Sequence, residues 1–568
     1  MIEIDKIFPK GVLRPELYMG AVNTVTASIV QVDFSEANAP SGSYYLGGRY
    51  GKGEVGEFVI IEGQINLVLG RVLEVKFSNE RQQNKNLDSL GRIQLLGSIS
   101  METLKVTAGI EAYPRLGDRV YAAPHKLVAL IPTLMEDVKD TKVTLELGSV
   151  DVALESKIKI KPEKLFGRHL AILGSTGGGK SWTTAQIIEQ CLKFNSKLIL
   201  FDATGEYRDF DSNDIKHVHL GNVIESAKNS SKCLLSPTSF QESDFIALFE
   251  PAGKIQGPKF RDAIRSLRLA KLCSSKYPDG YVKKINESKS VYNSCSSELE
   301  IASKMDNPAT DFDVDLLVKQ LEQECVWPNG GTFSAPDYKR WGGGDGSSLS
   351  YCLSLFTRIN GILSSPSLNC VFTKDALPSL IQEIEKFLGD KSQKLLRVDL
   401  SGISFEYKAR EIISNVIGRY ILNQARDNKF SESPLLVFLD EAHNFLGKHI
   451  GGEDTIAKLD SFELIAKEGR KFGLNICLAT QRPRDITEGV LSQIGTMIVH
   501  RLTNDRDREI VERACGEIDK AASAFLPNLK PGEAAIIGND FPIPLTIQIT
   551  EPNIHPKSSG PDYQKHWK

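Results

Sequence analysis

The chain has 568 residues, 41% of them hydrophobic and 25% charged, and its 69 basic residues nearly balance 72 acidic ones. A length roughly two or three times that of one ordinary core implies at least two domains. The near-neutral balance means that no global charge advertises a partner, but it does not exclude a basic channel inside a neutral shell.

Nine cysteines are scattered singly, with no CxxC pair and no Cys/His cluster at zinc spacing. With no secretory signal at the start, a reduced cytoplasmic setting is expected. No run of about 18 apolar residues occurs, so no membrane span is expected.

In chain order, residues 20 to 150 read as short strands broken by glycine and polar turns: "GEFVIIEG", "INLVLGRVLEV", "RIQLLGSIS", "LKVTAGI", "GDRVYAAP" and "KVTLELGSV". Short strands at even spacing predict a small β-barrel or sandwich over 1–155. "SEANAPSGSYYLGGRYGKGEVG" and "SNERQQNKNLDSLG" read as exposed loops between them. After "KPEKLFGRH" the pattern becomes α/β, with apolar strands expected at "HLAILG", "SKLILFD", "KLLRVDLSG", "PLLVFLDEA", "NICLATQ" and "TMIVHRL". Short unbroken apolar runs suit strands buried on both faces. These place a nucleotide-binding core at 156–240 and 395–550, a polar helical insertion at 241–394 and a tail at 551–568.

The chemistry starts at "ILGSTGGGKSWTT". Gly174, four residues, then Gly179, Lys180 and Ser181 match a phosphate-binding loop, in which Gly177, Gly178 and Gly179 let backbone amides turn toward phosphates. Lys180 is expected to reach the phosphates, Ser181 to ligate magnesium, and Trp182 to border the nucleotide. The strand "HLAIL" before it and the helix "WTTAQIIEQCLKF" after it supply the required context. The second element, "LLVFLDEAHNF", delivers Asp440 and Glu441 to a strand end. Asp440 is the candidate magnesium partner and Glu441 the base that polarises the attacking water. The third, "NICLATQRP", ends in Thr480 and Gln481, and Gln481 is read either as a sensor of the γ-phosphate or as a strand-end cap.

In the order "ILGSTGGGKSWT", "LILFDATGEY", "RVDLSGI", "FLDEAHNFL", "IAKEGRKFGLNICLATQRP" and "IGTMIVHRLTNDRD", the chain resembles the HerA branch of the HerA/FtsK hexameric DNA-pumping ATPases. The resemblance implies a RecA-like P-loop ATPase core preceded by a HAS-like barrel. It implies a homohexamer using ATP and Mg2+, duplex DNA as the substrate, and a nuclease or other effector docking on the barrel, in DNA-end processing or anti-phage defence. It also suggests arginines acting across subunits, with Arg470 and Arg168 as candidates; either could instead be a surface ion pair. Glu206 in "ATGEY" is expected to help arrange the site. An effector-activating ring scaffold and a protein-handling secretion or conjugation motor remain alternatives.

For DNA, "GKIQGPKFRDAIRSLRLAKL" offers Lys254, Lys259, Arg261, Arg265, Arg268 and Lys271 at helical spacing. Such a row could track phosphates or be a solvated face.

Overall fold

The computed structural model describes residues 14–34, 43–45, 48–77, 89–135, 142–150, 156–373, 375–446, 449–450, 457–514, 525–557, 563 and 567. The chain divides into two units, Met1–Ser196 with Asn475–Lys568, and Lys197–Leu474.

The first unit begins with β1 (Tyr18–Val25), β2 (Ile29–Phe34), β3 (Phe58–Glu62), β4 (Asn66–Phe77), β5 (Ser89–Ser100), β6 (Val106–Ala108) and β7 (Arg119–Ala122). They pair in the order β2-β1-β7-β3-β4-β5, and β2 pairs again with β5, so six antiparallel strands close into a barrel with β6 outside, along β5. Closure follows from alternation: Val30, Val32 and Phe34 of β2 are fully buried while the residues between them are not. This is the barrel expected over the amino-terminal strands. Of the two stretches read as exposed loops, the second lies mostly outside the described residues, at 78–88, and so do 35–42 and 46–47 of the first. In the remainder of the first, Ser43–Tyr45 and Gly48–Tyr50 pair as an antiparallel hairpin and Tyr50 is buried, which corrects the loop reading there.

Next come β8 (Leu145–Ser149), β9 (Lys157–Ile160), β10 (Leu170–Leu173) and helix α1 (Lys180–Leu192). Here the structure corrects the sequence reading, because "KVTLELGSV" does not join the barrel. Its strand β8 pairs with β9 and with a strand ending at Ile549. A short half-buried strand has the same local pattern in either sheet, and its partner is set 400 residues away in sequence.

The second unit carries β11 (Lys197–Asp202), β12 (Ile215–Leu220), β13 (Ser231–Cys233), the long helix α2 (Gly253–Leu272), β14 (Leu395–Asp399), α3 (Ala409–Arg426) and β15 (Leu435–Leu439). Its strands lie in the order β15-β11-β14-β12-β13, all parallel. The runs "LILFD", "LLRVD" and "LLVFL" are buried along their whole length, as double coverage requires. Two strands here, β12 and β13, are not legible in the sequence. "IKHVHL" alternates histidine and lysine with apolar residues and reads as polar.

The chain returns to the first unit with β16 (Leu474–Thr480), β17 (Thr496–Val499), β18 (Glu533–Gly538) and β19 (Phe541–Ile549). β10 lies between β16 and β17 in parallel register, with Leu173 opposite both Thr480 and Val499. β18 and β19 add as an antiparallel hairpin on β17. Arg71 on the barrel strand β4 is buried and donates to the Gly56 carbonyl and to Thr546 Oγ1 on β19, at 3.0 and 2.9 Å. That contact ties barrel to hairpin within the unit. Among the described residues, no helix is long and apolar enough to cross a membrane.

Candidate nucleotide site

β10 runs directly into the glycine loop. Gly179 takes a left-handed φ of 109° just before α1, a conformation that L side chains rarely adopt. At Gly174 a side chain would lie 2.6 Å from the Cβ of His500, so glycine is required there by close approach. Lys180 opens α1, is largely buried, and donates through Nζ to the Ser175 carbonyl at 3.2 Å. Ser175 in turn donates from its N–H and its hydroxyl to the Arg501 carbonyl, both at 3.0 Å. The loop is therefore closed on itself and on the end of β17. Ser181 and Trp182 follow in the first turn of α1, where the positive end of the helix dipole lies.

His500, just past β17, backs this loop. Its Nδ1 is 2.8 Å from the Glu533 carbonyl oxygen and its Nε2 is 2.7 Å from Thr183 Oγ1. A carbonyl only accepts, so Nδ1 carries the proton and Nε2 accepts from the threonine hydroxyl. Burial pushes the imidazole down to about 4, and the nearby Lys180 charge adds to the shift. A neutral, fully inserted imidazole thus props the phosphate loop from behind.

Gln481 follows β16, and Thr176 in the glycine loop donates to its Oε1 at 2.5 Å. The two residues, 305 apart in sequence, are thereby brought together. Arg168 precedes β10, half-exposed, and its Nε lies 3.4 Å from Asp540 Oδ1.

In the second unit Asp440 directly follows β15. It is nearly buried, and its N–H donates to the Phe201 carbonyl at 3.1 Å. The Tyr207 hydroxyl donates to Oδ1 at 3.4 Å and the Thr204 hydroxyl to Oδ2 at 3.5 Å. Both come from the "DATGEY" loop after β11. That loop is folded around Asp202: Oδ1 accepts from the N–H groups of Thr204, Gly205 and Glu206, and Oδ2 from that of Tyr207. Arg397 on β14 bridges Asp202 and Asp399 at 2.7 Å each, with all three side chains essentially inaccessible to solvent. Glu441 takes a left-handed φ of 48° and lies with Oε2 3.3 Å from His443 Nδ1. His443 thus sits beside the candidate base. Arg470 occupies an exposed turn before β16 and has no ion-pair partner among the described residues.

The basic row on α2 is mostly neutralised. Arg268 is a correction: it is buried and donates to the Thr310 and Pro308 carbonyls at 3.0 and 2.9 Å, so it cannot face DNA. Lys259 donates to the Glu324 carbonyl at 2.5 Å, Arg261 pairs with Glu242 at 3.5 Å, Arg265 with Asp306 at 2.6 Å, and Lys271 with Asp311. Lys254 is exposed and unpaired among the described residues.

Tyr207, Thr204 and His500 escaped sequence reasoning. "DATGEY" already lay among the motifs, but the contact to Asp440 spans 233 residues. No local signal announces it.

Residues 145–419 match the family described as helicase HerA, central domain. A probable helicase of Methanocaldococcus jannaschii is 23% identical over 500 residues, covering 85% of this chain and 83% of that protein. The DNA double-strand break repair helicase HerA of Saccharolobus solfataricus is 25% identical over 433 residues, covering 75% of this chain and 72% of that protein. Among solved structures, the bacterial conjugative coupling protein TrwB aligns with 74% of this chain and 92% of its own, at 15% identity and a TM-score of 0.42. The glycine loop on its strand, the acidic pair after β15 and the match over residues 145–419 together mark the chain as a P-loop ATPase whose central part is similar to that of HerA helicases.

Proposed function

We propose that the chain is an ATP-driven DNA translocase or helicase that works as a homohexamer, moves duplex DNA, and serves a nuclease or effector docked on the amino-terminal barrel. The observation that carries the reading is the pre-shaped phosphate loop, with Lys180 already seated and Gln481 attached to Thr176. The HerA relatives suggest the substrate class, since they are named as a probable helicase and a DNA double-strand break repair helicase.

In this reading Lys180 and the loop amides hold the phosphates of ATP, and Trp182 borders the nucleoside. Ser181 in the first unit and Asp440 in the second are each a hard oxygen donor, a hydroxyl and a carboxylate, of the kind Mg2+ takes. The Thr204 and Tyr207 hydroxyls both donate to the Asp440 carboxylate and orient it. A bound Mg2+ would neutralise phosphate charge. Glu441 polarises the attacking water, with His443 steadying its carboxylate. Gln481 reads the γ-phosphate and passes its state to the loop through Thr176. Arg470, exposed and without an ion-pair partner among the described residues, is the better placed of the two arginines to serve a neighbouring subunit; Arg168 already has Asp540. For DNA, Lys254 is available as it stands. The pairs of Arg261 and Arg265 are partly exposed, worth about 0–1 kcal/mol each, and DNA phosphates can replace their carboxylates.

The test is ATP turnover with and without duplex DNA. Lys180→Ala and Glu441→Gln should each abolish turnover, and duplex should stimulate the wild type. Turnover surviving in Glu441→Gln would remove Glu441 as the base; hydrolysis indifferent to DNA would favour the effector-scaffold alternative.

A further inference from the structure

The phosphate cradle accounts for one end of a nucleotide, and the structure shows what stands beside it. Trp182 is the third residue of α1, adjoining the phosphate-binding turn, and its indole is 37% exposed. The ring of His555 stacks on it at 5.0 Å between centroids with only 22° between planes. His555 belongs to the segment after β19, more than 370 residues further along the chain.

This segment is held in place. Glu189, two turns beyond Trp182 on α1, accepts from the Asn553 N–H at 3.1 Å, the Asn553 side-chain amide at 2.8 Å and the Ile554 N–H at 2.8 Å. Residues seven apart on a helix share a face, so the clasp at Glu189 lays the strap along the face that carries Trp182. The Thr550 N–H donates to the Leu147 carbonyl at 2.9 Å and fixes the strap's start. His555 Nε2 lies 3.1 Å from Glu551 Oε1, which restrains the imidazole. The result is a two-ring aromatic column, still open to solvent, beside a loop built for phosphates. A surface indole covered by a tethered imidazole has little value to a core. Next to a phosphate cradle it has an evident ligand, because every nucleobase presents a flat π-face.

We propose that Trp182 and His555 form the base subsite of this ATPase, stacking the aromatic base of a nucleoside di- or triphosphate, and that the strap at 550–555 confers preference for nucleotides over bare polyphosphates. The inference rests on ATP being the fuel held at the glycine loop. The strap acts as a fixed wall of the site, and the base completes the column.

The experiment compares ATP and inorganic tripolyphosphate binding to the full chain by calorimetry. His555→Ala and Trp182→Ala should each weaken ATP about tenfold or more, the scale of one lost stacking contact, and leave tripolyphosphate affinity unchanged. His555→Tyr and Trp182→Phe, which keep a stacking ring, should retain most of the ATP affinity. The His555 variants change an exposed side chain on the strap, so their folding is not at stake. Equal loss of ATP and tripolyphosphate in His555→Ala would show that the column only props the cradle and would overturn the proposal. Unchanged ATP affinity in both alanine variants would overturn it as well, leaving the ATP reading intact. Failure of the wild type to bind either ligand would overturn the ATP reading, and the base subsite with it.

Discussion

At the scale of single residues, His500 is the side chain whose state the phosphate loop most depends on. Its depressed pKa of about 4 means that the folded protein holds it neutral while an unfolded chain protonates it near 6.5. The unfolded state binds more protons between these values, so the stabilisation is complete above about pH 6.5 and drains away as pH falls toward 4. The full effect is on the order of 3 kcal/mol. Melting temperatures of the wild type should fall through this window more steeply than those of His500→Gln, whose amide can still donate to Glu533 and accept from Thr183. Parallel curves would show that His500 is not the group responsible. Lys180, Ser181, Asp440 and Glu441 could be put forward from sequence because each motif is contiguous and carries its strand or helix with it. His500 was not, since its partner Thr183 lies 317 residues away and nothing in "IVHRL" marks the histidine as a prop.

At the scale of elements, the buried Asp202–Arg397–Asp399 group joins the ends of β11 and β14 and folds the loop that aims Asp440. Removing the arginine leaves two carboxylates buried without their counter-charge. Arg397→Leu should destabilise the protein by about 3–5 kcal/mol, read as a lower denaturant midpoint. Replacing all three with apolar residues of similar volume should recover most of that loss. A single variant as stable as wild type would show that the carboxylates take up protons or water instead. Tyr207→Phe is the milder probe: it removes one long hydrogen bond to Asp440, so fold stability should hold while the Mg2+ concentration needed for half-maximal turnover rises. The apolar strands were legible as elements because burial on both faces writes an unbroken hydrophobic run. β12 and β13 were not, because their polar side chains find partners only in the fold, as His217 Nε2 does at 2.7 Å from the Phe210 carbonyl. The basic row on α2 shows the same limit: helical spacing set the residues on one element, but could not show that Asp306, Asp311 and Glu242 answer them.

At the scale of the whole molecule, the proposed ring makes a prediction that one polypeptide cannot satisfy. If Arg470 completes a neighbour's site, mixing Arg470→Ala subunits with Lys180→Ala subunits should restore part of the lost ATPase activity, because some interfaces then pair an intact loop with an intact arginine. Mixtures as inactive as either parent would place the arginine's role inside its own subunit. The barrel, too, constrains how such an assembly recruits others. Among the described residues β2 closes on β5, so the six barrel strands are paired all round, and β6, the strand added along β5, is three residues long. A partner docked there, as proposed, would find little main chain to extend as an extra strand and would have to recognise the barrel by side chains and loops. Recognition of that kind can be rewritten by a few point substitutions without disturbing the motor, so one ATPase design can be matched to different partner enzymes by changes confined to the barrel's outer surface.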